Sequence, residues 1–168
     1  MDRELLAKAV RENFMTRPAF TMIEMVFVIV ILGILAAVAI PRLAATRTDA
    51  AITKGASQVS AIRSGIALQR SLRLMQGTAG YPPNLDDVNA SYGTAGQNLF
   101  WRSGGNPENI LENPILSSTG NTAAWLKTAQ NTYTFRIDNT SIVTLIYTQG
   151  TGQFACTPAG ELCNALTQ

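Results

Sequence analysis

The chain has 168 residues, enough for one domain with a modest core, and its 13 basic and 11 acidic side chains give a formal net charge of +2. Binding to nucleic acid by phosphate neutralisation needs clustered lysine and arginine, but the basic residues of this chain are scattered. The sequence contains no histidine, the commonest general base and metal ligand. These totals argue against a nucleic-acid-binding protein and against an enzyme that relies on histidine.

The chain begins with MDRELLAKAVRENF, a segment that can form an amphipathic helix with its leucines on one side. Met15 offers a second start immediately after it. The segment is therefore either a true N-terminal extension or the product of an upstream start, and the sequence leaves both open.

Residues 20–40 form a long apolar run of 21 residues. As a helix they would span about 31 Å, close to the hydrocarbon core of about 30 Å. A cleaved signal peptide has a shorter apolar region, of about 7 to 15 residues. A small domain seldom surrounds a helix that is apolar on every face, which disfavours a buried core helix. We therefore predict an uncleaved transmembrane anchor, and the flanking basic residues slightly favour a cytoplasmic N terminus.

Glu24 is the one carboxylate in this run. A carboxylate in a transmembrane helix costs about 2.5 to 3.5 kcal/mol at the bilayer centre and less near an end, and it usually has a partner. Cleavage just before Phe20 would place a new α-amino group four residues from Glu24, on the same helix face. A free amine, from the same chain or from a neighbour, would satisfy the carboxylate.

The octapeptide RPAFTMIE (residues 17–24), the apolar run after it and the closing Pro41 closely resemble the N-terminal motif of type IV prepilins and type II secretion pseudopilins. The resemblance implies that a prepilin peptidase cleaves between Ala19 and Phe20 and N-methylates the Phe20 amine. It also implies that Glu24 pairs with the N-terminal amine of a neighbouring subunit during filament assembly. The family usually has glycine where this chain has Ala19.

The resemblance implies an α+β, pilin-like fold, in which a long N-terminal helix, half transmembrane and half amphipathic, packs on a small antiparallel sheet. The implied domains are a leader (1–19), a transmembrane and assembly helix (20–40) and a periplasmic or extracellular globular domain (41–168). The implied partners are the peptidase, other copies or homologous subunits, and an inner-membrane assembly platform. The chain would reside in the bacterial inner membrane and then in a pilus or pseudopilus, without a cofactor.

We expect one helix from about Phe20 to Met75, kinked or locally melted at Pro41, which lacks an amide donor. Gly77 is expected to end it, and Gly55 and Gly65 are each expected to weaken it by about 1 kcal/mol relative to alanine. An apolar face recurs at spacings of three and four and should pack on the sheet: Ile52, Ala56, Val59, Ile62 and Ile66, continued with a shift in phase by Leu68, Leu72 and Met75.

Residues 77–125 are rich in turn formers and predict a variable connection between helix and sheet. Its aromatic residues, with Trp125 among them, are expected in the core or at its rim. Asp86 and Asp87 are adjacent, so their carboxylates should point apart, and we interpret them as surface or turn acids. Asn89 lies in DVNAS, which fits the extended bacterial N-glycosylation pattern and makes it a candidate modification site.

The C-terminal part, residues 130–168, predicts a sheet. Residues 132–138 (TYTFRID) alternate, and residues 141–148 (SIVTLIYT) are rich in β-branched side chains. Asp138, Asn139 and Thr140 supply turn chemistry between them, which indicates a hairpin. A third short strand is expected at residues 153–155.

Cys156 and Cys163 are the only cysteines. A metal would need other ligands, and Glu161 is the only carboxylate beside them, so a disulfide is the better interpretation if this end lies outside the cytoplasm. Such a loop contributes about 2 to 3 kcal/mol in the chain-entropy model. The resemblance adds that many type IV pilins carry a C-terminal disulfide, whereas many major pseudopilins use a calcium site. No metal site is predicted here.

The sequence thus favours a structural filament subunit, with a single-span membrane-anchored binding module as the alternative. An enzyme finds no support, because no phosphate-binding loop or nucleophile motif is present. The cysteine pair favours a pilin, whereas the short length and the Tyr81-Pro82 start of the connection favour a pseudopilin or minor subunit. Both assignments stay open.

Overall fold

The computed structural model describes residues 20–87, 90–102 and 109–168. The architecture is α+β and pilin-like, as predicted, and the described residues divide into two compact units, a first that ends at residue 43 and a second that comprises residues 44–168. The predicted leader (1–19) and the glycosylation candidate Asn89 lie outside the described residues.

A long helix, α1 (Met22–Met75), begins in the first unit and ends in the second. Two short strands, β1 (Asn98–Leu99) and β2 (Ile115–Leu116), form an antiparallel pair. The main sheet is an antiparallel meander in the order β3-β4-β5-β6. Its strands are β3 (Ala124–Ala129), β4 (Thr132–Arg136), β5 (Ile142–Thr148) and β6 (Gln153–Thr157), and a final helix, α2 (Glu161–Thr167), follows them.

The end of α1 is set by Gly77, as predicted. Gly77 has φ = 78°, a left-handed conformation that glycine adopts without steric cost. Its N–H donates to the Leu74 carbonyl (3.0 Å), and the Thr78 N–H donates to the Arg73 carbonyl (2.8 Å), which is the Schellman pattern. We expected a kink or local melting at Pro41, and because the helix continues through this residue, the melting does not occur.

The buried face of α1 in the second unit centres on Val59, Ile62 and Ile66, whose side chains are at most 2% exposed. This confirms the predicted face, but its predicted continuation is wrong. Leu68 is 60% exposed and Met75 84% exposed. The buried face instead reaches Gln69, which keeps the helical spacing, and the Gln69 side-chain amide donates to the Asn109 carbonyl (2.6 Å).

Gly55 and Gly65 let α1 approach its neighbours closely. A β-carbon at Gly55 would overlap the Phe135 ring and the Leu166 side chain, and one at Gly65 would overlap the Ile110 carbonyl. The cost of these glycines to helix propensity is therefore offset by packing that no larger residue permits.

Most of the core lies between α1 and the inner face of the main sheet. Phe100 joins it from the connection, with its ring centroid 4.6 Å from that of Tyr133 and 5.7 Å, edge-on, from that of Trp125. Trp125 is 1% exposed, which confirms its prediction as a core residue. The inward residues of the sheet are Trp125, Lys127, Tyr133, Phe135, Val143, Leu145, Tyr147 and Phe154.

The predicted hairpin between β4 and β5 is present, with strands shorter by one or two residues than expected. In its turn, Oδ1 of Asp138 accepts hydrogen bonds from the backbone N–H groups of Thr140 and Ser141, both at 2.8 Å. These bonds stabilise the carboxylate and lower the pKa of Asp138 to about 2. The third strand, β6, is longer than predicted, and β1, β2, β3 and α2 were not predicted.

Both edges of the main sheet are engaged by the chain itself. At the β3 edge, the Ser118 N–H donates to the Trp125 carbonyl and the Gly93 N–H to the Lys127 carbonyl, both at 2.8 Å. At the β6 edge, the Arg63 guanidinium donates to the Phe154 carbonyl. A free edge strand is a template for pairing with another chain, so these contacts oppose association by strand addition.

Gly65→Ala tests the close approach of α1. The added methyl group must displace the Ile110 backbone, so we expect the free energy of unfolding to fall by about 1 to 3 kcal/mol despite the better helix propensity of alanine. Urea unfolding of the full chain in detergent measures the change. Ser64→Ala, on the exposed face of the same turn, is the control and should stay within about 0.5 kcal/mol of the wild type. A Gly65→Ala protein as stable as the wild type would contradict the packing role.

Candidate assembly site on the N-terminal helix

The start of α1 is organised by Thr21, which immediately precedes the helix. The backbone N–H of Glu24 donates to Thr21 Oγ1 (3.3 Å) and to the Thr21 carbonyl (3.1 Å). Thr21 is thus the N-cap of α1, and Glu24 occupies the third helical position. Thr21 was not among the predicted site residues, although TMIE has the Thr-x-x-Glu spacing of a capping box.

Glu24 lies in the first turn of α1, where a negative charge is favoured by the helix dipole. Its neighbours along the helix are apolar: Ile23, Val26, Phe27 and Val30 surround it on the same face. Within the described part of the chain, no basic side chain forms an ion pair with Glu24. The carboxylate therefore stands exposed on an otherwise apolar surface.

The first nineteen residues of α1, Met22–Ile40, have a mean hydropathy of 3.0, and none of them is buried by the rest of the described structure. Phe20 just before them is 72% exposed and Ile23 74% exposed. A continuous apolar surface of this length marks a site that meets lipid or another protein. The segment is long and apolar enough to cross a membrane.

Comparison with protein families identifies this region. Residues 16–40 match the prokaryotic N-terminal methylation motif. The chain carries the type IV prepilin and pseudopilin signature. Neither a curated protein nor a solved structure matches the chain.

The prepilin signature includes Phe20, Thr21 and Glu24 and extends to the end of the apolar segment. Proteins with this signature are generally structural and not enzymes. Of the two residues that flank the predicted cleavage site, Ala19 lies outside the described residues, whereas Phe20 is exposed and precedes the helix. The structure thus places Phe20 and Glu24 at the same end of α1.

The two cysteines form the predicted disulfide, Cys156–Cys163, with their Cα atoms 5.7 Å apart. The bond joins the end of β6 to α2. Among residues 20–87, 90–102 and 109–168, no three histidine, cysteine or acidic side chains lie close enough together to hold a metal ion.

Asp86 lies in a bend of the connection but is buried, so our interpretation of it as a surface acid was wrong. Its Oδ1 lies 2.7 Å from Lys127 Nζ, and the two side chains are 1% and 3% exposed. Lys127 also donates to the Asp87 carbonyl (3.2 Å). Burial raises the pKa of Asp86, and the nearby ammonium of Lys127 opposes that shift. The pair is an internal ion pair between the connection and β3, remote in sequence from the assembly site.

Lys127→Met tests this buried pair. The substitution leaves a buried carboxylate without its ammonium, so we expect the free energy of unfolding at neutral pH to fall by about 3 to 5 kcal/mol. The loss should shrink as the pH is lowered, because burial raises the folded-state pKa of Asp86 above its unfolded value and protonation removes the charge. Adding Asp86→Asn should restore most of the stability. Equal instability of the single and double variants in urea unfolding would argue against the pair.

Thr21→Ala tests the N-cap. Removing the hydroxyl acceptor should destabilise the first turn of α1 by about 1 kcal/mol, which corresponds to roughly fivefold faster hydrogen exchange of the Glu24 amide in detergent. Thr21→Ser keeps the acceptor and serves as the matched control. Identical exchange in the alanine and serine variants would show that the hydroxyl does not cap the helix.

Proposed function

We propose that this chain is a prepilin: a structural subunit of a type IV pilus-like filament or of a type II secretion pseudopilus. A prepilin peptidase cleaves it between Ala19 and Phe20 and N-methylates the Phe20 amine. The processed subunits then assemble through α1. The observation that carries the proposal is the position of Glu24. Its carboxylate is exposed on a helix surface that is otherwise apolar, and it lies one turn after Phe20 within the methylation motif.

The charge of Glu24 is tolerated while the subunit is in the membrane and becomes favourable when the subunit enters the filament. In the bilayer its carboxylate lies near the helix end, where a charge costs less than at the centre. Cleavage creates an amine at Phe20 that can neutralise it. In a filament the amine comes from a neighbouring subunit, and the two charges attract strongly because the surrounding helices exclude water. Pairing between subunits therefore favours the filament and fixes the axial position of one helix against the next.

The apolar side chains beside Glu24 supply the contact area. Ile23, Phe27 and Val30 are exposed on the same face, so a neighbouring helix can bury them together with the charge pair. Each buried aliphatic or aromatic side chain stabilises such a contact by about 1.5 to 3 kcal/mol when water is the alternative. In the bilayer the same side chains already contact lipid, so burying them against another helix gains little free energy. The charge pair therefore supplies the specificity of the contact.

The proposed location is the bacterial inner membrane, with a cytoplasmic N terminus and residues 44–168 in the periplasm, followed by the filament. The Cys156–Cys163 disulfide supports the periplasmic placement, because disulfides persist in oxidising compartments. The partners are the peptidase, other copies or homologous subunits, and an inner-membrane assembly platform. The engaged sheet edges support assembly through α1 over assembly by strand addition.

The alternative is a single-span anchored binding module that forms no filament. A groove of about 760 Å³ in the second unit favours it, since this volume lies within the range of ligand sites. The groove is bordered by α1, the segment around β2 and the start of β3, with Lys54, Gln58, Glu112 and Trp125 among its residues. An uncleaved N terminus in cells that contain the peptidase would favour this module.

Glu24→Ala separates the two functions. The variant should insert at least as well as the wild type, because a charge is removed from the membrane segment, and cleavage at Phe20 should persist. Filament assembly should fall at least about tenfold, because the neighbour's amine loses its partner. Intact-mass spectrometry reports cleavage and methylation, and quantification of sheared filaments, or of the pseudopilus under overexpression, reports assembly.

Glu161→Ala is the matched control, since it removes an exposed acid from the second unit and should leave assembly unchanged. Wild-type filament yield from Glu24→Ala would refute the pairing role of Glu24. A wild-type chain whose mass shows an intact leader would refute processing itself.

A further inference from the structure

The C-terminal helix α2 cannot be stable on its own. It has seven residues, and its N-cap, Gly160, provides no side-chain hydrogen bond. Isolated helices of this length do not persist in water. Yet Leu166 is fully buried against Phe135 and the α1 backbone at Gly55, and Cys163 is 6% exposed. Contacts with the rest of the second unit must therefore hold α2 in place.

Arg63 supplies one such contact. It projects from α1, and its Nε and Nη2 both donate to the Phe154 carbonyl at 3.1 Å. Its Nη1 donates to the Thr167 carbonyl at 2.9 Å. One half-buried guanidinium thus joins α1, β6 and the last residue of α2 through three charge-assisted hydrogen bonds.

These contacts flank the disulfide on both sides. Phe154 lies two residues before Cys156 in β6, and Thr167 lies one helical turn after Cys163. The Thr167 hydroxyl also donates to the Cys163 carbonyl (2.9 Å), so the position of Thr167 fixes that turn of α2. Because the fork of a guanidinium is planar and rigid, holding both carbonyls also fixes the separation of the two cysteines.

We propose that Arg63 and the Cys156–Cys163 disulfide are two locks on α2, one non-covalent and one covalent. Arg63 is a positioning residue that docks α2 in the dithiol chain and keeps the two sulfur atoms within bonding reach before oxidation. The disulfide then makes the docking covalent. Either lock alone is sufficient to hold α2, and only the loss of both releases it. This role does not depend on the proposed filament function.

The oxidation balances with an ordinary disulfide oxidant. The two thiols release two protons and two electrons as the S–S bond forms, and one molecule of oxidised glutathione accepts them to give two molecules of reduced glutathione. Because α2 is already docked in the dithiol chain, closing the S–S bond costs less conformational entropy than it would in a flexible tail.

Hydrogen exchange of the full chain in detergent tests the two locks. The amides of residues 164–167 are followed in the wild type and in Arg63→Met, each in the oxidised form and after reduction by a phosphine. The α2 amides should be protected from exchange in three samples, namely the oxidised wild type, the reduced wild type and oxidised Arg63→Met. Reduced Arg63→Met alone should exchange there at least about a hundredfold faster, because α2 then undocks.

The same variants are used to measure the equilibrium constant between the cysteine pair and glutathione. Arg63→Met should lower the equilibrium constant of the cysteine pair against glutathione about tenfold, whereas a purely structural role elsewhere in the domain would leave it unchanged. Arg136→Met, which removes an arginine from β4, is the matched control and should behave like the wild type in both measurements.

Amides of β4 report whether each variant remains folded. If Arg63→Met loses protection in β4 as well, Arg63→Lys replaces it. Lysine keeps the charge but lacks the rigid planar fork that sets the distance between the two carbonyl groups, so reduction should then release α2 partially. Rapid exchange of α2 in the reduced wild type would overturn the proposal, because Arg63 would not hold α2 alone. Full protection of α2 in reduced, folded Arg63→Met or Arg63→Lys would also overturn it.

Discussion

The packed part of the molecule depends on how closely α1 approaches its neighbours. Gly55 admits the Phe135 ring and Leu166 to the helix backbone, and Gly65 admits the Ile110 carbonyl. The fully buried side chains of Val59, Ile62 and Ile66 fill the space on the same face. The sheet, the connection and α2 thus all pack on one strip of a single helix, so a shift of that strip would displace each of them.

The two halves of α1 meet opposite demands. Between Met22 and Ile40 the side chains are apolar all round apart from Glu24, and nothing in the described structure covers them. Beyond Ala51 the helix has one buried face and one exposed face, on which serine and basic residues alternate with alanine and, near the C-terminal end, with leucine and methionine. The first half suits lipid or other copies of the same helix, and the second half suits the core of a domain in water.

Those features that rest on local patterns could be predicted from the sequence. The long apolar helix, the buried face around Ile62, the Gly77 terminus and the β4–β5 hairpin each follow from local composition, periodicity or turn chemistry. The prediction of the disulfide required only that no metal ligands lie beside the two cysteines and that this end of the chain lies outside the cytoplasm. The N-cap role of Thr21 could also have been predicted, because Thr21 and Glu24 have the Thr-x-x-Glu spacing of a capping box.

The features that could not be predicted depend on distant residues. β3 reads AWLKTA, and a lysine at an inward position makes the strand look unlike a core strand until Asp86, 41 residues earlier, is known to pair with it. Gln69 replaces an apolar residue on the buried face only because the Asn109 carbonyl meets it there. The glycines of α1 look like weak points until the atoms that approach them are known.

The engaged edges of the main sheet have a consequence for how copies of this domain meet one another. Crowded domains with bare strands would exchange backbone hydrogen bonds and fuse irreversibly into cross-β aggregates. Here Ser118, Gly93 and Arg63 already occupy carbonyl groups at the outer strands. Each of these contacts removes an acceptor to which a strand of a second molecule would have to bind.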